Sequence, residues 1–374
     1  MKIPFHRPFI NNDDIDSVCE SIRSGWITMG SKTFEFEKLF RNYLHSKYAV
    51  SVNSATAALH LALNAIGVEK NDEVIIPTST FVATAETIVY SGGIPVLCDI
   101  ESYNHNINVE LIEEKITSRT KAIVPVHFGG HPCQMDEISI IAKKNKLKII
   151  EDAAHALPSK YKNKQIGTIG DVTCFSFYAT KTMTTGEGGM LVTDDKELAD
   201  KAALQRLHGI NKDSWARSKV EKDWYYEVVE LGYKYNTTDF QSALGISQLK
   251  KLESMREKRK RIAEIYINAF SDKIDFISEL DYNKSSWHLF VIKVLNRDEL
   301  YKKLKAKGID TAVHFIPIHK HPYYRERFSY SDKDYPIANT VYEQCLSLPI
   351  YPGLNNDEIN YIIQYVLQYA ESVN

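Results

Sequence analysis

The chain reads as an α/β protein: a large unit with a mostly parallel sheet covered by helices, followed by a smaller α+β unit. Two observations predict this. Short apolar runs rich in Val and Ile alternate with helical segments from Tyr48 to Thr193, the rhythm of crossover-connected parallel strands. From about Ser271 that regular alternation gives way to a compact mixture of strands and helices. A length of 374 residues suits one large and one smaller domain. The expected division is 1–250 and 251–374, with a long linking helix over about 239–270.

Taken in order, an arm at Pro4–Pro8 precedes the acidic helix start Asn11-Asn-Asp-Asp14, and the helix runs to about Ser24. The apolar spacing of Phe34, Phe36, Leu39 and Phe40 predicts a second helix up to Tyr43. A short β-run at Tyr48–Val52 gives way to Asn53-Ser-Ala-Thr56 and an Ala/Leu-rich helix. Small residues at such a start leave backbone N–H groups open to an anion, although a Ser or Asn that merely caps the helix is the plainer reading. Strands follow at Glu73–Pro77, Pro95–Cys98 and Ala122–His127, with a helix opening after Phe81 and others over Asn108–Ile116 and Met135–Asn145. Residues 211–230 are polar and aromatic and are expected to pass over the mouth of the site. Asp239 is expected to cap the long helix, and strands are expected at Ser286–Lys293 and Thr311–Phe315.

The chemistry gathers around Lys181. An apolar β-run, Val172–Tyr178, stops at this lysine and resumes as Met190–Thr193 after a loop containing Gly186, Gly188 and Gly189. Burial disfavours an ammonium ion, so a lysine in this setting loses its proton near neutral pH and attacks a carbonyl. Upstream, the run Leu147–Glu151 ends at Asp152, a carboxylate at the C-terminal end of a parallel strand, where α/β proteins bind ligands. A lysine for a Schiff base and a carboxylate for a ring nitrogen are the two groups that pyridoxal phosphate requires. Phe81 offers a flat face for such a ring, with core packing as its alternative.

Three pieces, Glu151-Asp-Ala-Ala-His-Ala156, Phe175-Ser-Phe-Tyr178, and Lys181 followed by Thr184-Thr-Gly-Glu-Gly-Gly189, together resemble the DegT-type nucleotide-sugar aminotransferases, over nearly the whole chain. The resemblance implies the aspartate aminotransferase fold (pyridoxal phosphate fold type I), with Lys181 as Schiff-base lysine and proton shuttle. It places Ala55, Thr56, Phe81, Asp152, His155, Ser176 and Asn236 at the cofactor, and Trp26, Thr28 and His314 at the substrate. Asn236 would reach the cofactor of a partner subunit, which makes the active unit a homodimer with shared sites. The implied substrates are L-glutamate and a nucleotide sugar. Lysine at position 181 argues against the family's dehydratase branch, in which this residue is replaced. Ser24–Thr28, Gly232–Asn236 and His321–Phe328 resemble enzymes that make UDP-4-amino-4-deoxy-L-arabinose for lipid A. Trp287–Phe290 and Val313–His319 resemble those of the pseudaminic acid pathway. Both act at C4 of a UDP-linked 4-keto sugar; a dTDP- or GDP-linked sugar aminated at C3 or C4 is the alternative. A non-catalytic cofactor-binding regulator is the remote one, and no basic patch or appended DNA-binding helix pair supports it.

Composition narrows the partners. The 46 basic and 48 acidic side chains nearly balance, which argues against nucleic acid or an anionic membrane as partner. No apolar run is long enough to span a bilayer, and Met1–Phe5 lacks a signal-peptide core. Five scattered cysteines without metal spacing fit reduced thiols in the cytoplasm. His314, His319 and His321 match no common zinc pattern, so no metal is expected.

Overall fold

The computed structural model describes residues 1–211 and 224–373. Most of the segment expected to cross the mouth of the site, residues 212–223, therefore lies outside the described residues.

The main sheet has seven strands: β1 (Tyr48–Val52), β2 (Glu73–Pro77), β3 (Ile94–Cys98), β4 (Thr120–Ile123), β5 (Lys148–Asp152) and, beyond the short β6 (Lys160–Tyr161) and β7 (Lys164–Gln165), β8 (Val172–Ser176) and β9 (Gly189–Thr193). Their order is β1-β9-β8-β5-β4-β2-β3. Pairing is parallel from β3 across to β8, and β9 runs antiparallel between β8 and β1. Strand periodicity sorts the side chains onto two faces. Val74, Ile76 and Ile150 point into one buried cluster, while Ile75 and Ile149 point into the other. The connecting helices are α1 (Asn12–Arg23), α2 (Ser31–Leu44), α3 (Ala55–Ala65), α4 (Val82–Tyr90), α5 (Met135–Asn145) and α6 (Lys196–Gln205). Helix α3 buries every residue from Ala57 to Leu63, as expected for a helix that is apolar all round.

A separate three-stranded sheet combines β10 (Asp275–Phe276), β12 (Phe290–Lys293) and β13 (Cys345–Leu348), while β11 (Asn283–Lys284) pairs with β6. Tyr266, Phe270, Phe290, Leu346 and Leu348 fill a third core, into which Ile3 of the N-terminal arm also packs. The arm is fastened there by the Ile3 amide donating to Gly308 O (2.7 Å) and the Asp310 amide donating to Ile3 O (2.9 Å).

Four expectations need correction. The linking helix is two helices, Asp239–Lys250 and Leu252–Phe270. The chain leaves helical geometry at Lys251 (φ −112°, ψ 7°), whose ammonium is drawn to Asp14 and Asn11. Asp239 does not cap its own helix: Thr238 does, through a capping box with Gln241. Asp239 instead accepts from the Gly30 amide (2.7 Å), the Lys32 amide (3.1 Å), the Thr33 amide (3.0 Å) and Thr33 Oγ1 (2.8 Å). It thereby caps α2, whose own N-cap is a glycine with no side chain to offer. The helix expected over Asn108–Ile116 is two 3₁₀ turns. The two C-terminal strands are shorter than expected: one starts only at Phe290, and Thr311–Phe315 makes a single bridge, Ala312 to Ser347.

Candidate active site

The carboxyl ends of β1, β2, β5 and β8 open onto one cavity of about 480 Å³, within the usual range for small-molecule sites. Ala55, Thr56, Phe81, Asp152, His155, Ser176, Lys181 and His314 all line it. Eight of the residues expected at the site thus come together from distant parts of the chain.

Lys181 sits in a turn closed by its own amide donating to Tyr178 O (2.9 Å). The loop that follows is braced from within: Thr184 Oγ1 donates to Phe177 O (3.0 Å) and Thr185 Oγ1 to Glu187 O (2.6 Å). Lys181 is partly accessible from the cavity, yet its amine is surrounded by protein, and this burial lowers its pKa from the ordinary 10.5 to about 8 against the opposing pull of Asp152. A useful fraction of the amine is therefore neutral near physiological pH.

Asp152 is held from two sides. Thr84 Oγ1 donates to its Oδ2 (2.8 Å) and the Ala154 amide donates to its Oδ1 (3.1 Å), while Thr80 and Thr84 hydroxyls lie 2.8 Å apart behind it. Burial pushes its carboxyl up; the hydrogen bonds and the charge of Lys181 oppose that shift. A cationic ring nitrogen facing this carboxylate would keep it ionised.

The start of α3 forms the third piece. Ser54 caps it by accepting from the Ala57 amide (3.1 Å), so the capping and anion-binding readings of this stretch are compatible. Gly189 lies against this turn so closely that a Cβ there would stand 2.5 Å from Ser54 O and 2.7 Å from the Ala55 nitrogen. Ser176 Oγ accepts from the Tyr178 amide (3.3 Å) on the facing strand end. A helix N-terminus flanked by a serine hydroxyl suits a phosphate. Lysine, buried carboxylate and phosphate-sized cradle together fit pyridoxal phosphate.

The remaining wall is imidazole and aromatic. His155 lies 4.4 Å from the His288 ring and 5.8 Å from Phe315, and its Nδ1 accepts from the Gly129 amide (3.3 Å). His314 Nδ1 lies 2.8 Å from Ser347 Oγ, and Phe5 of the N-terminal arm lies 5.5 Å from its ring. Burial, reinforced by Lys181, lowers His314 to about 4 and holds His155 well below the usual imidazole range. All three rings are neutral at physiological pH; His288 is held down in the same way.

Three expected residues do not line this cavity. Trp26 Nε1 donates to Met29 O (3.1 Å), and Thr28 offers its carbonyl to the Asp239 amide (3.1 Å). Asn236 turns its Nδ2 onto Thr237 O (3.0 Å), with its Oδ1 enclosed. Conversely, Phe5, Thr80, Tyr178, Glu187, His288 and Phe315 line the cavity without having been named as site residues. His288 carried a usable signal, a histidine at the head of an apolar strand, whereas Phe5 reaches the site only through the course of the arm. Among the described residues no cluster of three or more His, Cys, Asp or Glu is placed to hold a metal ion, and no described helix is long and apolar enough to cross a membrane.

Comparisons with known proteins agree with this geometry. The family model "DegT/DnrJ/EryC1/StrS aminotransferase family" matches residues 8–367. The spore coat polysaccharide biosynthesis protein SpsC of Bacillus subtilis is 46% identical over 97% of this chain and 96% of its own length. A sugar aminotransferase of Streptococcus pneumoniae, Spr1654, solved in its pyridoxamine phosphate form, superposes with a TM-score of 0.94 at 33% identity, covering 98% of both chains. Helicobacter pylori PseC, an aminotransferase of pseudaminic acid biosynthesis, gives 0.91 at 33% identity over 98% of this chain and 99% of its own. The fold expected from the sequence is the fold found. The chain belongs to the DegT/DnrJ/EryC1/StrS family of pyridoxal-phosphate-dependent sugar aminotransferases.

Proposed function

We propose that this enzyme moves an amino group from L-glutamate to C4 of a UDP-linked 4-keto sugar destined for a surface glycan. The observation that carries the reading is the pairing of a buried lysine at about pKa 8 with a carboxylate locked by Thr84, beneath the open start of α3. When bound, pyridoxal phosphate supplies an electron sink. Asp152 would hold the ring-nitrogen proton, Ala55, Thr56 and Ser176 would hold the phosphate, and Phe81 and His155 would hold the ring. Lys181 Nζ releases its proton to become a nucleophile and then carries a proton between the reacting carbons as general base and acid. One site serves both halves of the exchange, so donor and acceptor bind in turn.

The roles of SpsC in spore coat polysaccharide biosynthesis and of PseC in pseudaminic acid biosynthesis support a surface polysaccharide or pseudaminic-acid-like sugar; the lipid A pentose is the rival substrate. His314 contacts the sugar. Trp26 and Thr28 bind the substrate, and Asn236 reaches the phosphate site of the partner subunit in a homodimer; the place of all three outside this protomer's cavity supports that reading. We read the chain as two domains, 1–250 and 251–374, and place the reaction in the cytoplasm, which the five free cysteines suit.

The test is spectroscopic and chemical. Purified enzyme should show the visible absorbance of lysine-bound cofactor, lose it on addition of glutamate with release of 2-oxoglutarate, and regain it only with a matching UDP-4-keto sugar. Recovery with the 4-keto-6-deoxy-hexosamine supports the surface-glycan reading, and recovery with the 4-keto-pentose supports the lipid one. Recovery only with dTDP- or GDP-linked sugars overturns the UDP assignment.

A further inference from the structure

Segment Ser285–Leu289, which brings His288 to the cavity, is held with unusual force. Trp287 adopts φ +50°, a left-handed conformation costly for a bulky side chain. Ser286 Oγ donates to His155 O (2.6 Å), the Ser286 amide donates to Ser159 Oγ (3.0 Å), and the Leu289 amide donates to Gly129 O (3.1 Å). Gly130 has no room for a Cβ, which would stand 2.0 Å from Ser286 Oγ. Behind the segment lies Arg259, 1% exposed, whose guanidinium donates to Ile350 O (2.6 Å) and reaches Trp287 O (3.4 Å). A cation this deeply buried is ordinarily matched by a carboxylate; here backbone carbonyls receive it.

His288 itself is 7% exposed, lines the cavity, and has an enclosed Nδ1 with no hydrogen-bond partner among the described residues. A strained backbone is a feature that persists where a site uses it, and the imidazole that Trp287 positions lines the cavity. Since its Nδ1 is enclosed, the other ring nitrogen is the one to meet a ligand. We propose that His288 is a further substrate-binding residue that hydrogen-bonds an uncharged oxygen of the sugar ring, and that Arg259 is the positioning residue that holds it through the Trp287 carbonyl. The inference rests on the nucleotide-sugar reading above. A neutral imidazole beside His155 on the cavity wall suits a hydroxyl, which accepts or donates a hydrogen bond, or a carbonyl oxygen, which accepts one, without needing a counter-charge.

The experiment is calorimetric titration of holoenzyme with UDP-N-acetylglucosamine and, in parallel, UDP alone. His288→Phe should weaken binding of the sugar nucleotide roughly tenfold, the loss of one hydrogen bond, while UDP binds as to the wild type. His288→Gln, which keeps a donor and an acceptor, should recover much of that loss. Arg259→Met should reproduce the His288→Phe pattern, and the double variant should bind no more weakly than His288→Phe alone. With the matching keto sugar, KM should rise more than kcat falls. Equal binding of the sugar nucleotide by wild type and His288→Phe overturns the proposal and leaves the function standing. Equal weakening of UDP assigns His288 to the fold instead. If the wild type binds UDP-N-acetylglucosamine no more tightly than UDP, the sugar contact falls; if it binds neither, the UDP reading falls. An Arg259→Met protein that melts earlier and loses UDP binding as well removes the positioning role.

Discussion

The floor and the wall of the cavity are built on opposite terms. The floor, made by Lys181, Asp152, Ser176 and the start of α3, comes from strand ends of one sheet, and its polar groups are supplied with partners such as Thr84, Ala154 and Tyr178. The wall, made by His155, His288, His314, Phe315 and Phe5, is drawn from the N-terminal arm, the main sheet and two C-terminal segments. Its imidazoles are held neutral by burial. The floor therefore suits a fixed, charged cofactor, and the wall, apart from His155 next to that cofactor's place, suits exchangeable ligands. A charged floor tolerates little change, whereas a neutral wall tunes which ligand is preferred.

The largest effect that would break this contrast is on the floor. Lys181→Ala should remove both nucleophile and proton carrier and lower amination by at least about 10²–10⁴-fold, the range for a lost general acid–base, as measured by 2-oxoglutarate release. His314→Gln on the wall should cost only about tenfold, chiefly in sugar KM. Comparable losses in the two variants would erase the distinction.

Next in size, Gly189→Ala should push the start of β9 off the Ser54–Ala55 turn, since its Cβ meets backbone at 2.5 Å. Pyridoxal phosphate affinity should fall by roughly a hundredfold, as expected for losing two or more phosphate hydrogen bonds, measured by cofactor titration of the apoenzyme. Unchanged affinity would show that the cradle is not where phosphate sits.

The charge on the floor can be weighed through stability. In the apoenzyme Lys181 has a folded pKa of about 8 against 10.5 unfolded. Between these values the unfolded chain binds the extra proton, so this lysine makes stability rise with pH across that window. Below pH 8 its charge costs the fold up to about 3 kcal/mol. Apo Lys181→Met should thus be more stable than wild type at pH 7, and the gap should close as pH climbs from about 8 towards 10.5, read as the difference in urea midpoints. A constant gap would mean that Lys181 is not desolvated.

What the sequence made legible divides along the same line. Lys181, Asp152 and Ser176 sit at the ends of apolar runs, and each run carries its strand signal and its chemistry within ten residues. The parallel sheet follows from the same runs. The wall's signal is weaker: His288 stands near the start of an apolar run, but it reaches the cavity only through a left-handed Trp287 and a contact from Ser286 to His155, more than a hundred residues away in sequence. Lys251, inside an unbroken helical pattern, gave no hint of the break that its pairing with Asp14 accompanies. Long-range partners decided these cases, and local spacing does not encode them.

Asp239 makes the same point away from the site and supplies the smallest effect. By spacing it looks like the cap of its own helix, but Thr238 has that role. Its carboxylate instead crosses to the start of α2, some two hundred residues earlier, and takes three backbone amides and the Thr33 hydroxyl. Helix α2 has Gly30 as its N-cap, which offers no side chain, so it depends on this borrowed cap. Asp239→Ala should leave those amides facing a buried gap and cost about 1–3 kcal/mol, seen as a lower melting temperature. Asp239→Asn keeps one acceptor oxygen and should recover part of the loss. Because Asp239 does not line the cavity, cofactor affinity in the folded enzyme should change far less than in Gly189→Ala. A fall in affinity as large as that of Gly189→Ala would show that α2 and the cofactor floor are one mechanical unit, and the separation between scaffold and site drawn from their hydrogen bonds would have to be given up.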